Sequence, residues 1–503
     1  MAEYILSIDI GTSSSKAVLF DLAFNVVASV QKKYETNYPN TSWAEQAPDQ
    51  WWEALKESSQ DIITKSHVSA SEIIAIGIDS FSTTVVPVDS HGLPLRPGLI
   101  WMDRRAMKQA HWIRDHFGEE TFKISGNLSD AGNCAPKIMW IKQNEREIYN
   151  STHMFLQANG YLVLRMTGEY SMDKSQAGLS QLCDIKTGEY SKLLLDAYGI
   201  DNTKLPPIYN CTDVVGHVDK KAAALTGLKE GTPVIAGSMD NVAAGLGAGA
   251  FKDGEVFISG GTVTTNNVCI HEPRSNKKLH IYPHIIPETW IAAGSTDFGG
   301  GALSWFNEQI LDKSDLSELS TLVASSEAKD HSMIFLPYMV GQRSPIWNDK
   351  TTGVMMGLKP TTTRREIARA IMEGTAYGSR HVIQILENEG VKISNIRITG
   401  GSANSGIWMQ IFSDVLDKQI DLPGVVDLPP LGTAIAAAYG VGAITSFQEA
   451  AEKIPIRNSF KPNIENTEYY QDMYELFCTV YTNLQTEFDS LNRIENQVKK
   501  NSK

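Results

Sequence analysis

Cysteine is scarce in this chain of 503 residues. The five present (Cys134, Cys183, Cys211, Cys269 and Cys478) are scattered, odd in number and free of any Cys-x-x-Cys spacing. That pattern excludes a disulfide framework and a cysteine-built zinc site, and it fits a reducing, cytoplasmic setting. Positive charge is also in deficit: 45 Lys and Arg stand against 58 Asp and Glu, for a formal net charge of -13. Nucleic acid and anionic membranes reward a basic surface, so neither is expected as a partner. No apolar run reaches about 18 residues, and the N-terminus has no basic stretch leading into an apolar one, so neither a membrane span nor a signal peptide is expected. Familiar nucleotide signatures are missing as well. There is no Gly-x-x-x-x-Gly-Lys-Ser/Thr loop and no His-Arg-Asp or Asp-Phe-Gly set, and Gly245-x-Gly247-x-Gly249 misses the dinucleotide spacing. His280 and His284 are spaced for a helical metal pair, but Pro283 between them breaks the helix such a pair needs.

What is present is the composition of a packed globular protein, 42% hydrophobic and 20% charged. The length exceeds what one core accommodates and predicts two domains, 1–246 and 247–503.

Two stretches carry the chemistry. Tyr4–Asp21 reads as a strand, a tight Gly11-Thr12-Ser13 turn and a returning strand. Such a turn presents bare N–H groups and hydroxyls to a polyphosphate; Asp9 before it is placed to hold a hydrated Mg²⁺, and Lys16 after it to offset phosphate charge. An ordinary hairpin whose aspartate caps its own turn fits equally well. Glu255–Ile270 repeats the pattern around Gly261-Thr262 about half a chain later, which points to a duplicated fold with facing halves.

Between and after them, the spacing predicts a helix over Asp49–Lys65, a buried strand over Ile73–Asp79 with Val85–Val88 returning, and a helical run from the Leu99–Arg105 segment to Phe117. Ser82 and Thr83 follow the buried strand, where α/β folds meet ligands, although such residues also simply form turns. Trp101 and Asp103 combine a ring face with a carboxylate, a lining suited to a polyhydroxylated ligand, or else mark a helix start. Residues 160–192 read as a surface module. Asp240-Asn241 sits where a short strand turns into an Ala/Gly-rich helix, placed either as a general base or as a cap. Phe298–Trp305 opens a helix on glycines that include Gly300. Arg365–Asn388 is a long amphipathic helix, and Gly400-Gly401 end a strand ahead of Asn404, letting a planar base approach the backbone. Leu431–Ile444 is a small-residue helix, and a single long helix, about 467–499, is expected to lie across the outside.

Six collinear segments resemble the FGGY family of carbohydrate kinases, in the actin/hexokinase superfamily: DIGTSSSKAVLFD, AEQAPDQWW, GSMDNVAAGLGAG, ISGGT, TGGSANSGIWMQIFSDVL and LGTAIAAAYGVG. The resemblance implies an α/β fold of two ribonuclease-H-like domains around a central cleft, and ATP-dependent phosphorylation of a small sugar. It implies Asp240 as the base and Asp9 as the Mg²⁺-associated acid. Gly11, Thr12, Ser13 and Lys16 fall on the first phosphate loop, Gly261 and Thr262 on the second, and Gly300, Gly400, Gly401 and Asn404 on nucleotide contacts. Ser82, Thr83, Trp101, Asp103, Asp240 and Asn241 are the expected sugar contacts. Asp240-Asn241 resembles xylulokinases, which favours a pentulose such as D-xylulose; gluconate is the alternative. Both subfamilies place Met-His after the strand at 73–79, where this chain has Phe81-Ser82-Thr83. A chaperone-like ATPase and a silent sugar-binding protein are the rivals from other classes, and a homodimer is the assembly to test.

Overall fold

The computed structural model describes residues 3–312, 315–425 and 427–501. The chain divides into two compact units, and neither is one continuous stretch. The first gathers Met1–Phe251, Ile270–Ile291 and Asp427–Ile454; the second gathers Lys252–Cys269, Ala292–Val426 and Pro455–Lys503. The expected single cut after residue 246 therefore differs from the way contacts cluster. The reason is packing: the helix Leu428–Gly440 lies against the helix Asp240–Gly247 and the sheet of the first unit. Glycines make that helix pair intimate. A Cβ on Gly432 would stand 1.8 Å from the Ala243 carbonyl oxygen, and one on Gly247 would stand 2.1 Å from that of Leu428.

The first unit is built on a sheet whose strand order is Val214–His217, Pro233–Ile235, Ile73–Ser80, Tyr4–Ile10, Ser14–Asp21, Val26–Lys33. The first hairpin is antiparallel, whereas Tyr4–Ile10 runs parallel to Ile73–Ser80. Tyr4–Ile10 is buried at most of its positions: Leu428–Gly440 packs directly on it, while Pro48–Ser66 packs on the neighbouring strands Ser14–Asp21 and Val26–Lys33. Parallel pairing sets Asp9 opposite Asp79. The short strand Ser238–Met239 joins the same end, pairing Ser238 with Asp79, and so delivers Asp240 there.

The second unit repeats this plan. Val256–Gly260 pairs antiparallel with Thr264–Ile270 and parallel with Ile396–Thr399. Ile420–Pro423 and Ile456–Phe460 extend the sheet beyond Ile396–Thr399. The long helix is Arg364–Asn388, opened by a capping box between Thr363 and Glu366. In its buried middle, Arg369 pairs with Glu373, and Tyr470 donates to the same carboxylate.

Several expectations are corrected. Val86–Val88 pairs with Met154–Leu156 instead of returning on Ile73–Ser80. The helix expected to stop at Phe117 is Met107–Ser125, with non-helical dihedrals at Phe117 that bend without ending it. The supposed surface module contains the helices Ala158–Thr167 and Lys174–Leu179, both largely buried. The tail is two helices, Thr467–Asn483 and Gln485–Asn501, and the first buries Tyr470, Tyr474 and Phe477 in the second unit's core.

Candidate active site

Three carboxylates gather at one end of the first unit's sheet. Asp79 is fully buried, and its Oδ2 accepts a 2.6 Å hydrogen bond from the Thr433 hydroxyl. Burial, and next the charge of Asp9, hold Asp79 well above the usual carboxylate range. Asp9 is pushed up to about 6, chiefly by burial, with the neighbouring Asp79 carboxyl and the charge of Lys16 pulling the other way. Burial acts on both carboxyls, so the pair holds a proton more readily than either acid would in water. Asp240, first residue of its helix, is half-buried. Burial and the charge of Asp9 push it up to about 7, against a 2.6 Å hydrogen bond from the Asn241 N–H. An acid poised near neutrality can take a proton and give it up again.

The first hairpin turns beside this cluster. Gly11 N–H donates 3.0 Å to the Ser14 carbonyl, Tyr34 donates to the Gly11 carbonyl, and Gln46 donates 2.6 Å to that of Thr12. Lys16 lies opposite Asp9 and forms an ion pair with Asp427. Ser13 is exposed at the tip.

In the second unit, a cavity of about 740 Å³ is lined by Gly261, Thr262, Gly300, Gly401 and Asn404. Its floor is made by close backbone approach. Gly300 N–H donates to the Gly261 carbonyl and Gly301 N–H to that of Thr262, both at 3.1 Å. A Cβ on Gly300 would stand 2.3 Å from the Gly261 oxygen, so only glycine fits. Gly400 does not line the cavity; with φ of +90° it makes the left-handed turn that carries Gly401 onto the wall. Ser317, Ser320 and Thr321 of the helix Leu316–Ala324, together with Trp408, add to the lining. Bare backbone, hydroxyls and an aromatic wall in a space of this size fit a nucleoside with its phosphates.

Residues 4–247 match the N-terminal domain, and residues 256–441 the C-terminal domain, of the FGGY family of carbohydrate kinases. The chain belongs to that family. It is 30% identical to a xylulose kinase of Staphylococcus epidermidis over 95% of this chain and 96% of that protein. It is 27% identical to a gluconokinase of Bacillus subtilis over 98% of each. The crystal structure of a xylulose kinase from Rhodospirillum rubrum superposes with a TM-score of 0.91 at 26% identity, covering 97% of this chain and all of that one. As an FGGY kinase, the protein is an ATP-dependent sugar kinase with the family's two-domain, actin/hexokinase-like α/β fold.

Within this FGGY kinase the expected sugar contacts separate. Asn241 stays beside Asp240, its amide donating 2.7 Å to the Tyr282 hydroxyl. Trp101, 36% exposed, donates its indole N–H to the Thr12 hydroxyl at 3.1 Å and so stands at the first hairpin. Ser82 is half-buried, while Thr83 is buried, its N–H on Gln176 and its carbonyl on the Lys137 ammonium. Asp103 is the correction. It is wholly buried, accepts from the Ala44 N–H, and forms an ion pair with Arg105, which also pairs with Glu45. Its oxygens are spent inside the protein, so it is a structural anchor and not a sugar contact.

Three residues that shape the site escaped the sequence reading. Gln176 grips the Ser80–Thr83 loop through the Ser80 hydroxyl, the Phe81 carbonyl and the Thr83 N–H. Lys137, fully buried and pushed down to about 8 by that burial, ties the Thr83 carbonyl to that of Ile100. Tyr282 orients Asn241. Only Lys137 left a trace, as a charge inside the apolar run Ala135–Ile141.

Among the described residues, no group of three or more His, Cys, Asp or Glu side chains is arranged to hold a metal by itself. Mg²⁺ bound through one or two carboxylates, with water and substrate phosphates supplying the rest, needs no such cage. The Asp9–Asp79 pair, two neighbouring acids both held above their normal range with Lys16 acting on Asp9, is a donor set that fits it.

Proposed function

We propose that this sugar kinase phosphorylates a terminal hydroxyl of a neutral pentulose, with D-xylulose the first candidate, and that Asp240 is its general base. The observation that carries the reading is Asp240 itself: partly accessible, at a strand-to-helix junction, and pushed up to about 7 by burial and by Asp9. At that value it accepts the proton of an alcohol as the hydroxyl attacks the γ-phosphorus. Such a base contributes about 10²–10⁴-fold. Asn241, held by Tyr282, orients the same hydroxyl or its neighbour. The N–H groups and hydroxyls of the Gly11–Ser13 and Gly261–Thr262 turns hold phosphate oxygens, and the glycine-floored cavity takes the adenosine. Asp9, backed by Asp79, would hold Mg²⁺, which when bound supplies neutralisation of phosphate charge.

A neutral substrate is favoured by the state of the cations around the site. Lys16 pairs with Asp427, Arg104 with Asp130, and Arg105 with Asp103 and Glu45, while Lys137 is spent on two carbonyls. A gluconate carboxylate would have to break one of these pairs. The gluconate reading rests on the gluconokinase relatives, and the xylulose reading on relatives of similar identity. Coupled ADP production on D-xylulose, D-ribulose, gluconate, glycerol and ribitol tests the proposal. The highest kcat/KM is expected for a pentulose; a preference for gluconate would overturn it.

A further inference from the structure

A second cavity, of about 290 Å³, lies in the first unit between the turn Ile185–Gly188 and the segment Pro283–Trp290. None of Asp9, Asp79 and Asp240 lines it. The Trp290 indole N–H bridges its rims, donating 2.9 Å to the Ile185 carbonyl. The chemistry of its wall is one-sided. Lys174 is half-buried and carries no ion pair among the described residues, its stem crossing Gly188, whose φ of +73° and missing Cβ (which would lie 3.2 Å from Lys174 Cε) leave room for it. Lys186, exposed at the mouth, has no carboxylate partner either, and Glu288 is the one acid in the lining.

His284 forms the inner wall. Its Nδ1 accepts the Ile286 N–H at 3.2 Å, so the proton of the neutral ring sits on Nε2, which is buried with the Ala250 backbone as its polar neighbour. Burial keeps the ring neutral by pushing it down to about 4, against the opposing pull of the Ala250 backbone. Nε2 also lies 3.7 Å from where a Cβ on Gly245 would stand, so the ring abuts the helix that Asp240 begins.

A half-buried ammonium with no anion beside it, as at Lys174, is costly unless a ligand supplies the oxygens. The volume lies at the small end of ligand sites, roughly 300–1,000 Å³, too little for a second nucleotide and enough for a short carbon chain with an anionic head. We propose that this cavity binds a small anion, a carboxylate or phosphate ester of a few carbons, whose oxygens are met by Lys174 and Lys186 and whose carbons lie on Ile286 and Trp290. Because His284 joins the cavity wall to the Asp240 helix, occupancy alters turnover; this coupling rests on Asp240 being the base, whereas binding does not.

Calorimetric titration of the full chain, without ATP or sugar, separates the two. The probes are inorganic phosphate, glycerol phosphate as a three-carbon ester and lactate as a three-carbon carboxylate. At least one of the carbon-bearing anions is expected to bind saturably in the millimolar range or tighter, and more tightly than inorganic phosphate. Lys174→Gln is expected to weaken that binding by about tenfold or more, the loss of one charge-assisted contact, while kcat and KM without anion stay unchanged. A crystal soaked in the same anion should show it against Lys174. No saturable binding, binding unaltered by Lys174→Gln, or an anion seated only elsewhere would overturn the site. Binding that leaves kcat and KM untouched would overturn the coupling.

Discussion

The Thr433 hydroxyl donates to Asp79 Oδ2 at 2.6 Å across 354 positions of sequence. Thr433 belongs to the small-residue helix Leu428–Gly440, whose chain returns to the first unit only after Ala292–Val426 of the second unit has been laid down. The same side chain packs its methyl against Gly77 on the strand that carries Asp79. The acid cluster is therefore completed by the last segment of the first unit. Thr433→Val keeps the methyl and removes the donor, leaving a buried carboxyl oxygen without its partner. A loss of about 1–3 kcal/mol in unfolding free energy is expected from denaturant titration, with Thr433→Ser, which retains the hydroxyl, closer to the parent. A valine variant as stable as the parent would show that the bond does not hold the cluster.

Asp240→Asn preserves shape and removes the base. It is expected to lower kcat by about 10²-fold or more while ATP affinity, measured by titration, changes little. Near-normal turnover would remove Asp240 from the chemistry.

The same residue sets a pH dependence. With Asp240 pushed up to about 7, kcat/KM should fall as pH drops through neutrality, because the free enzyme's base becomes protonated. Stability should move the opposite way. Asp9, Asp79 and Asp240 all bind protons more tightly folded than unfolded, so between the normal carboxylate range and about pH 7 the folded chain holds more protons. Their contribution is present at low pH and is lost as pH rises through the folded values. A thermal melt of the ligand-free enzyme should therefore show this component weakening from pH 5 to pH 8, and less so in Asp240→Asn. An activity profile flat across pH 6–8 would contradict the assignment.

Both hairpins were legible in the sequence because a strand of period two, a Gly-Thr turn and a returning strand are all local features. The placement of Asp9 near the end of a hairpin strand, and of Asp240 at a strand-to-helix junction, was legible because both are local features too. What escaped depends on distant partners. Asp103 looked like a ligand contact because its fate is decided by Arg105, Glu45 and the Ala44 N–H, brought together only by folding. The segment 160–192 looked like surface because it is rich in small and polar residues. In the fold those residues permit close approach: a Cβ on Gly160 would meet the Ser171 carbonyl at 2.6 Å, and one on Gly178 the Pro283 ring at 2.2 Å. The break at Leu484 left no glycine or proline to announce it.

Two glycines of the nucleotide cavity should respond differently to the same change. Gly300→Ala drives a methyl into the Gly261 carbonyl at 2.3 Å, so the second hairpin must shift. Gly401 has no atom nearer than 3.9 Å to an added Cβ, so Gly401→Ala folds without distortion and changes only the wall a nucleotide meets. The expected result is a lowered melting temperature together with a raised KM for ATP in Gly300→Ala, and a raised KM alone in Gly401→Ala. Unchanged KM for ATP in both would move the nucleotide out of this cavity.

Asp103→Asn distinguishes an anchor from a sugar contact. Asp103 and Arg105 are both buried, and their ion pair is shared with Glu45, which also holds Arg96. Arg105 stacks its guanidinium 3.8 Å above the Trp43 ring, so it cannot swing out to water when its partner is neutralised. Removing one charge from a buried pair typically costs about 3–5 kcal/mol, because the other is left unbalanced; the remaining bond to Glu45 should hold the loss to the lower end. The cost falls on the whole unit, since Ala44 and Glu45 lead into Gln46, which supports the first hairpin through the Thr12 carbonyl. A large drop in melting temperature is expected, with KM for the sugar unchanged in the fraction that remains folded. A sugar KM raised tenfold at unaltered stability would return Asp103 to the substrate.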